Sequence, residues 1–142
     1  MAPSREVSTS TSLSYHAFGI RGYDYPRTDY RGGEVIFTIV QNPADCRCSA
    51  CGSREVISRS HVERRFRNMP IGDRPTAVIL PIPHVECRAC GVVRQVKVPF
   101  ADPRRSYTRA FERYVLELSR SMTIRDVAHH LDVGWDLIKD IQ

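Results

Sequence analysis

Two pentapeptides constrain this chain more than anything else in it: Cys48-Ser49-Ala50-Cys51-Gly52 and Cys87-Arg88-Ala89-Cys90-Gly91. Each is a C-x-x-C-G knuckle. Two intervening residues let both sulfurs of one turn face a tetrahedral Zn²⁺ at about 2.3 Å. The glycine that follows can adopt a positive φ, so the turn closes without a Cβ clash. Two knuckles separated along the chain predict a closed four-cysteine site holding one structural zinc ion, with Cys48, Cys51, Cys87 and Cys90 as ligands. Such a site leaves no position for water or substrate and is scaffold, not a hydrolytic centre. Because binding energy is folding energy in small zinc modules, the metal-free chain is expected to lose its first domain.

The fifth thiol, Cys46, stands two residues before the first knuckle. It could compete with Cys48, but the C-x-x-C pairs are expected to win. His61 reads as a solvated strand or loop residue. Disulfides are the competing use of five cysteines and require an oxidising compartment. The Ser/Thr-rich residues 1–14 lack the apolar run of a signal peptide, and no stretch approaches the ~18 apolar residues of a membrane span. The expected setting is therefore the cytoplasm, with no membrane partner.

The 142 residues suffice for one domain or two small ones, and they carry a formal charge of +5. Arginines concentrate in two groups. Arg59, Arg64, Arg65 and Arg67 lie between Arg54 and Arg74; Arg94, Lys97, Arg104, Arg105, Arg109 and Arg113 span the junction to the next segment. Solvated surface charge would explain this equally well, but the balance suits a polyanion.

Before Pro99 the pattern is strand-like. Val35 to Val40 is a β-branched run entered through Arg31-Gly32-Gly33-Glu34. Tyr23 to Tyr30 reads as an irregular edge strand, because Pro26 bars it from a central place. Glu55 to Arg67 reads as extended; Thr76 to Leu80 and Val92 to Val98 are clearer strands. Pro70, Pro75, Pro81 and Pro83 exclude a long helix. Each knuckle thus falls between strands, as in a zinc-ribbon-like antiparallel β-module.

After Pro103 the period turns helical. Tyr107 to Ser121 places Phe111, Val115 and Leu118 on one face, and Ser106 or Thr108 can cap its start. The run from Met122 to Ile141 has the layout of a helix-turn-helix. Thr123 caps with Asp126 three residues on, Ala128 is small where helices cross, and Asp132 occupies the turn. An ordinary helical hairpin would use the same pattern as core. In a DNA-reading pair the second helix enters the major groove by its N-terminal residues, here Trp135, Asp136, Lys139 and Asp140. That set contains no arginine, so phosphate affinity must come from elsewhere.

The two knuckles, the link Arg67 to Pro75, the block Ser106 to Val115 and the run Thr123 to Trp135 together resemble the N-terminal region of ISL-three family insertion-sequence transposases. The likeness runs from about Gly33 to Gln142. It departs at Ser49, where the family often has proline. The resemblance implies an α+β architecture: a disordered tail at 1–14, a four-cysteine zinc-binding β-module at 15–100 and a helical segment with a shortened helix-turn-helix at 103–142. It implies binding to double-stranded DNA, namely the terminal inverted repeats of a mobile element, near the bacterial nucleoid and with homo-oligomers formed elsewhere in the protein. Arg64, Arg65, Arg67, Arg104, Arg105 and Arg109 are then the phosphate candidates, and Trp135, Asp136 and Lys139 the groove candidates. The DDE catalytic triad of such enzymes would lie past Gln142, so no carboxylate here is assigned a catalytic role and no enzyme activity is expected. A transposase-derived regulator or a zinc-ribbon protein-interaction module are the competing readings.

Overall fold

The computed structural model describes residue 20 and residues 22–142. The expected tail at 1–14 lies outside the described residues. Five strands are followed by three helices: β1 (Tyr23–Arg31), β2 (Glu34–Gln41), β3 (Val56–Ile71), β4 (Arg74–Cys87), β5 (Val93–Gln95), α1 (Arg109–Leu118), α2 (Ile124–Leu131) and α3 (Trp135–Ile141). A 3-10 turn at Pro43–Asp45, capped by the Asn42 side chain, leads from β2 into the first knuckle. The α+β architecture read from the sequence is the observed one. No helix among the described residues is long and apolar enough to cross a membrane.

The sheet order is β1-β2-β4-β3, with β5 on β4. β1 and β2 form a hairpin through Gly32-Gly33, and the register slips between Asp24 and Arg27, around Pro26. β3 and β4 form the long antiparallel hairpin that organises the molecule, pairing Val56 with Cys87 at one end and Ile71 with Arg74 at the other. One pairing departs from the expected antiparallel module. β2 runs parallel to β4, with Val35 opposite Thr76 and Thr38 opposite Ile79. The reason is topological: β4 has turned back from β3 and inserts between β3 and β2, so it points the same way as β2.

The strands also outrun the sequence reading. β4 continues through Pro81 and Pro83 to Cys87, whereas only Val93–Gln95 of the run 92–98 is strand. Proline is tolerated in this central strand because of where its missing N–H falls. β2 covers β4 over 76–79 and β5 covers it over 84–86, leaving a gap between them. The Pro83 carbonyl accepts from the Val96 N–H, so the polar groups of Pro83 face away from β3. Pro81, two residues earlier, shares that orientation and opens onto the gap.

Three apolar clusters hold the fold. The largest lies on the sheet, where Phe37, Ile39, Phe66, Val78, Leu80 and Ile82 pack with Ile20, Phe100 and Ala110. Phe66 meets the Phe100 ring edge-on at 5.3 Å between centroids. The helical cluster gathers Tyr107, Phe111, Val115, Val127, Ala128, Leu131 and Ile138, matching the faces expected from the periodicity. A small third cluster of Cys46, Val56, Val85 and Val96 lies at the knuckle end of the sheet.

A buried seam joins sheet to helices. The Arg67 N–H donates to the Ser106 carbonyl and the Thr108 N–H to the Arg67 carbonyl, at 2.8 and 2.9 Å. The Thr108 hydroxyl donates to Asn68 Oδ1 at 2.8 Å while accepting from the Phe111 N–H as the cap of α1. Asn68 and Thr108 are fully buried. The helices therefore start from a fixed point on β3.

Candidate metal centre and nucleic-acid interface

Hairpin β3–β4 builds the metal centre. The first knuckle immediately precedes β3 and the second closes β4, so the Val56–Cys87 register brings them face to face. Each knuckle uses the same hydrogen bonds. The Gly52 N–H reaches the Cys48 carbonyl and the Gly91 N–H the Cys87 carbonyl, both at 2.9 Å. Gly52 and Gly91 hold φ of 79° and 76°, the region that a Cβ disfavours. The Arg88 N–H donates to the Glu55 carbonyl at 2.8 Å and locks the second knuckle to the exit of the first.

The ligand atoms of Cys48, Cys51, Cys87 and Cys90 all lie within 4.8 Å of one another. Cys48 Sγ is 3.7 Å from Cys90 Sγ, and Cys51 Sγ is 3.6 Å from Cys87 Sγ. A tetrahedron with metal–sulfur bonds of about 2.3 Å has edges of about 3.8 Å, so the four sulfurs fit such an ion. Their electrostatics agree. The Cys51 and Ala50 amides donate to the Cys48 sulfur and pull its thiol down to about 6. The Cys90 amide lowers Cys87 in the same way. Cys51 moves oppositely, to about 12: against the downward pull of the Ser53 amide stand its hydrogen bond with the Cys87 sulfur and burial. Four crowded sulfurs cannot all ionise without a cation among them.

Cys46 stands outside this cluster. It packs against Val85 and Val96, and burial followed by the Asp45 charge raises its pKa. His61 is exposed on β3.

In the helix-turn-helix run, α2 is capped at both ends. Thr123 Oγ1 accepts from the Asp126 N–H at 3.1 Å and caps α2. At the other end Asp132 takes φ 54°, ψ 52°. The Val133 N–H reaches the Ala128 carbonyl at 3.0 Å and the Asp132 N–H reaches that of His129 at 3.3 Å. This is a Schellman ending with aspartate in the left-handed place. Ile138 is fully buried against α2, so α3 turns Trp135, Asp136 and Lys139 outward. Trp135 is 53% exposed, and the Lys139 ammonium lies 5.2 Å from its ring centre.

A model of the helix-turn-helix domain of transposase family ISL3 matches residues 96–142, and a model of the zinc-finger of transposase IS204/IS1001/IS1096/IS1165 matches residues 44–90. Over these residues the chain carries the zinc-finger and helix-turn-helix domains of ISL3-type transposases. The matches include no catalytic domain. No significant match is found among curated proteins or solved structures. The zinc-finger match and the four converging sulfurs together mark a structural metal site.

Most of the arginines singled out in the sequence are engaged within the fold, and Arg64 is brought onto the segment 103–105. Arg64 donates to the carbonyls of Pro103 and Arg105 and lies over the Phe66 ring. Arg65 pairs with Glu34, and Arg105 pairs with Asp140 of α3. Arg67 donates to the Leu131 carbonyl at 2.6 Å and stands over the Phe111 ring. Arg109 reaches the Pro99 carbonyl, and Arg104 is exposed. Sequence reasoning missed the structural use of Arg64 and Arg67, and no local signal marks it. Their partners lie 39 to 64 positions away.

Proposed function

We propose that the chain is the part of an ISL3-family transposase that recognises the terminal inverted repeats of its own mobile element in duplex DNA. The observation that carries this reading is the helix-turn-helix. α3 is anchored by the buried Ile138 and presents Trp135, Asp136 and Lys139 outward at the end that enters a major groove. Arg104 and Arg109 supply phosphate contacts directly, and Arg65 and Arg105 do so on exchanging Glu34 and Asp140 for phosphate; Arg64 and Arg67 act by holding the helical segment on the sheet.

Within this reading Cys48, Cys51, Cys87 and Cys90 hold one Zn²⁺. The ion supplies four metal–sulfur bonds that fasten the open end of hairpin β3–β4, and takes no part in strand chemistry. The division of labour falls near residues 100–103: a zinc-binding module over 15–100 and a DNA-reading helical segment over 103–142.

The test is a fluorescence-anisotropy titration of the zinc-loaded chain against duplexes bearing the inverted repeats that flank its gene, beside a shuffled duplex and a salt series. Tighter binding to the repeats, weakening steeply with salt, is expected. Equal affinity for both duplexes would overturn recognition of the repeats. Absence of binding to either at low salt would overturn the DNA reading and leave a protein-interaction module.

A further inference from the structure

Two hollows flank the first knuckle. One, of about 490 Å³, runs between Arg64, Phe66 and Ile82 of the hairpin and the segment Arg94 to Pro103. The other, of about 480 Å³, is bounded by Tyr23, Gln41, Asp45, Arg47 and Pro99. Both are lined by Ser49, Val96 and Lys97, so they adjoin at the first knuckle and are treated as one track. Four cations line it (Arg47, Arg64, Arg94 and Lys97) against two acids, Asp45 and Asp102.

Two of those cations, like the exposed Arg104, are not held by a carboxylate. Arg59, Arg65 and Arg105 are each paired with a carboxylate. Arg94 and Lys97 are exposed and enter no ion pair among the described residues. Between them the hollow has a mixed lining of Gln95, Val98, Ala101 and Asp102, with Phe66 and Ile82 buried behind it. Exposed cations spaced along a hollow of mixed lining suit the repeated phosphates of a nucleic-acid backbone. The track is also wired to the reading helix. Arg64, in its wall, donates to the Arg105 carbonyl, and the Arg105 side chain pairs with Asp140 of α3.

We propose that this track is a second DNA site, in which Arg94 and Lys97 hold the sugar-phosphate backbone of the same duplex whose major groove α3 reads. The inference rests on the DNA reading above. It assigns the zinc module a direct role in binding: it extends the footprint to one side of the helix-turn-helix and contributes affinity without base discrimination.

The test uses the zinc-loaded full chain carrying Arg94→Gln and Lys97→Gln together. Both side chains are exposed, and retention of one equivalent of zinc with an unchanged circular dichroism spectrum checks the fold. The slope of log affinity against log salt is expected to fall by about two, with about tenfold weaker binding, because each lost phosphate contact removes a slope of about 0.9. The preference for repeat over shuffled duplex is expected to stay unchanged, and a hydroxyl-radical footprint is expected to lose protection on one flank only. An unchanged slope and footprint, while the parent chain binds, would overturn this site and leave the helix-turn-helix reading intact. Collapse of the repeat preference would overturn it too, by making the pair base readers. Absence of DNA binding by the parent chain would overturn both readings together.

Discussion

Arg67→Ala separates two roles for one residue, a phosphate contact and a clamp between the sheet and the helix-turn-helix. In the structure its guanidinium donates to the Leu131 carbonyl at 2.6 Å and lies 5.6 Å from the centre of the Phe111 ring. A hydrogen bond from a charged donor contributes about 1.5–3 kcal/mol. A partly desolvated cation–π contact adds about 1 kcal/mol. Against this, Arg67 Nε is buried without a partner, a cost of about 1 kcal/mol that alanine removes. The Leu131 carbonyl ends α2, where the Schellman bonds engage Ala128 and His129 but not Leu131, so no neighbouring amide replaces the arginine. The expected net loss is about 2 kcal/mol. Guanidinium unfolding of the zinc-loaded protein should show it as a lower midpoint at constant slope. The salt dependence of DNA binding should hardly move. The opposite result, a stability change below about 0.5 kcal/mol with a salt slope lower by about one, would refute the clamp and return Arg67 to the phosphate contacts.

Three further outcomes are expected. Cys87→Ser, or chelation of the wild type, should remove the metal and abolish slow amide exchange even at Val78 and Leu80, far from the knuckles. The reason is scale: structural zinc contributes about 10–16 kcal/mol, more than the whole margin of a small domain. A metal-free protein that keeps that protection would contradict this. Zinc retention should also depend on acid. Cys48 is held below its ordinary value, so its contribution is full above the normal thiol range and is lost as pH falls through about 6. A colorimetric chelator should therefore report zinc release as pH falls, because protons compete with the metal for all four sulfurs, and retention independent of pH would speak against thiolate ligation. Finally, Asp132 holds a left-handed φ of 54°. Asp132→Val should cost about 1–2 kcal/mol, whereas Asp132→Gly should stay within about 0.5 kcal/mol of wild type. Calorimetric melting of the pair checks this, and equal melting temperatures would show that the turn carries no strain.

Much of the molecule was legible from local signals. C-x-x-C-G carries its own turn geometry, and both knuckles adopt it with the same amide-to-carbonyl bonds. Thr108, Thr123 and Asp132 act within a few residues of their own positions, so capping rules located the helix ends. The 3.6-residue period placed Phe111, Val115, Val127 and Leu131 in one core because a helix face is a property of the segment alone. Pro26 marked β1 as irregular for the same local reason.

What sequence could not decide depended on partners far along the chain. Pro81 and Pro83 look like strand breakers until β2 and β5 are seen to leave a gap beside them. The parallel pairing of β2 with β4 follows from which strand β4 chose to insert beside, a choice no local pattern encodes. Arginines of equal appearance divide into clamps and free cations only once Leu131, Pro103, Glu34 and Asp140 are brought to some of them and not to others. Short-range chemistry was written in neighbouring residues; the division of charge between holding the fold and facing solvent was settled by contacts that only the folded chain creates.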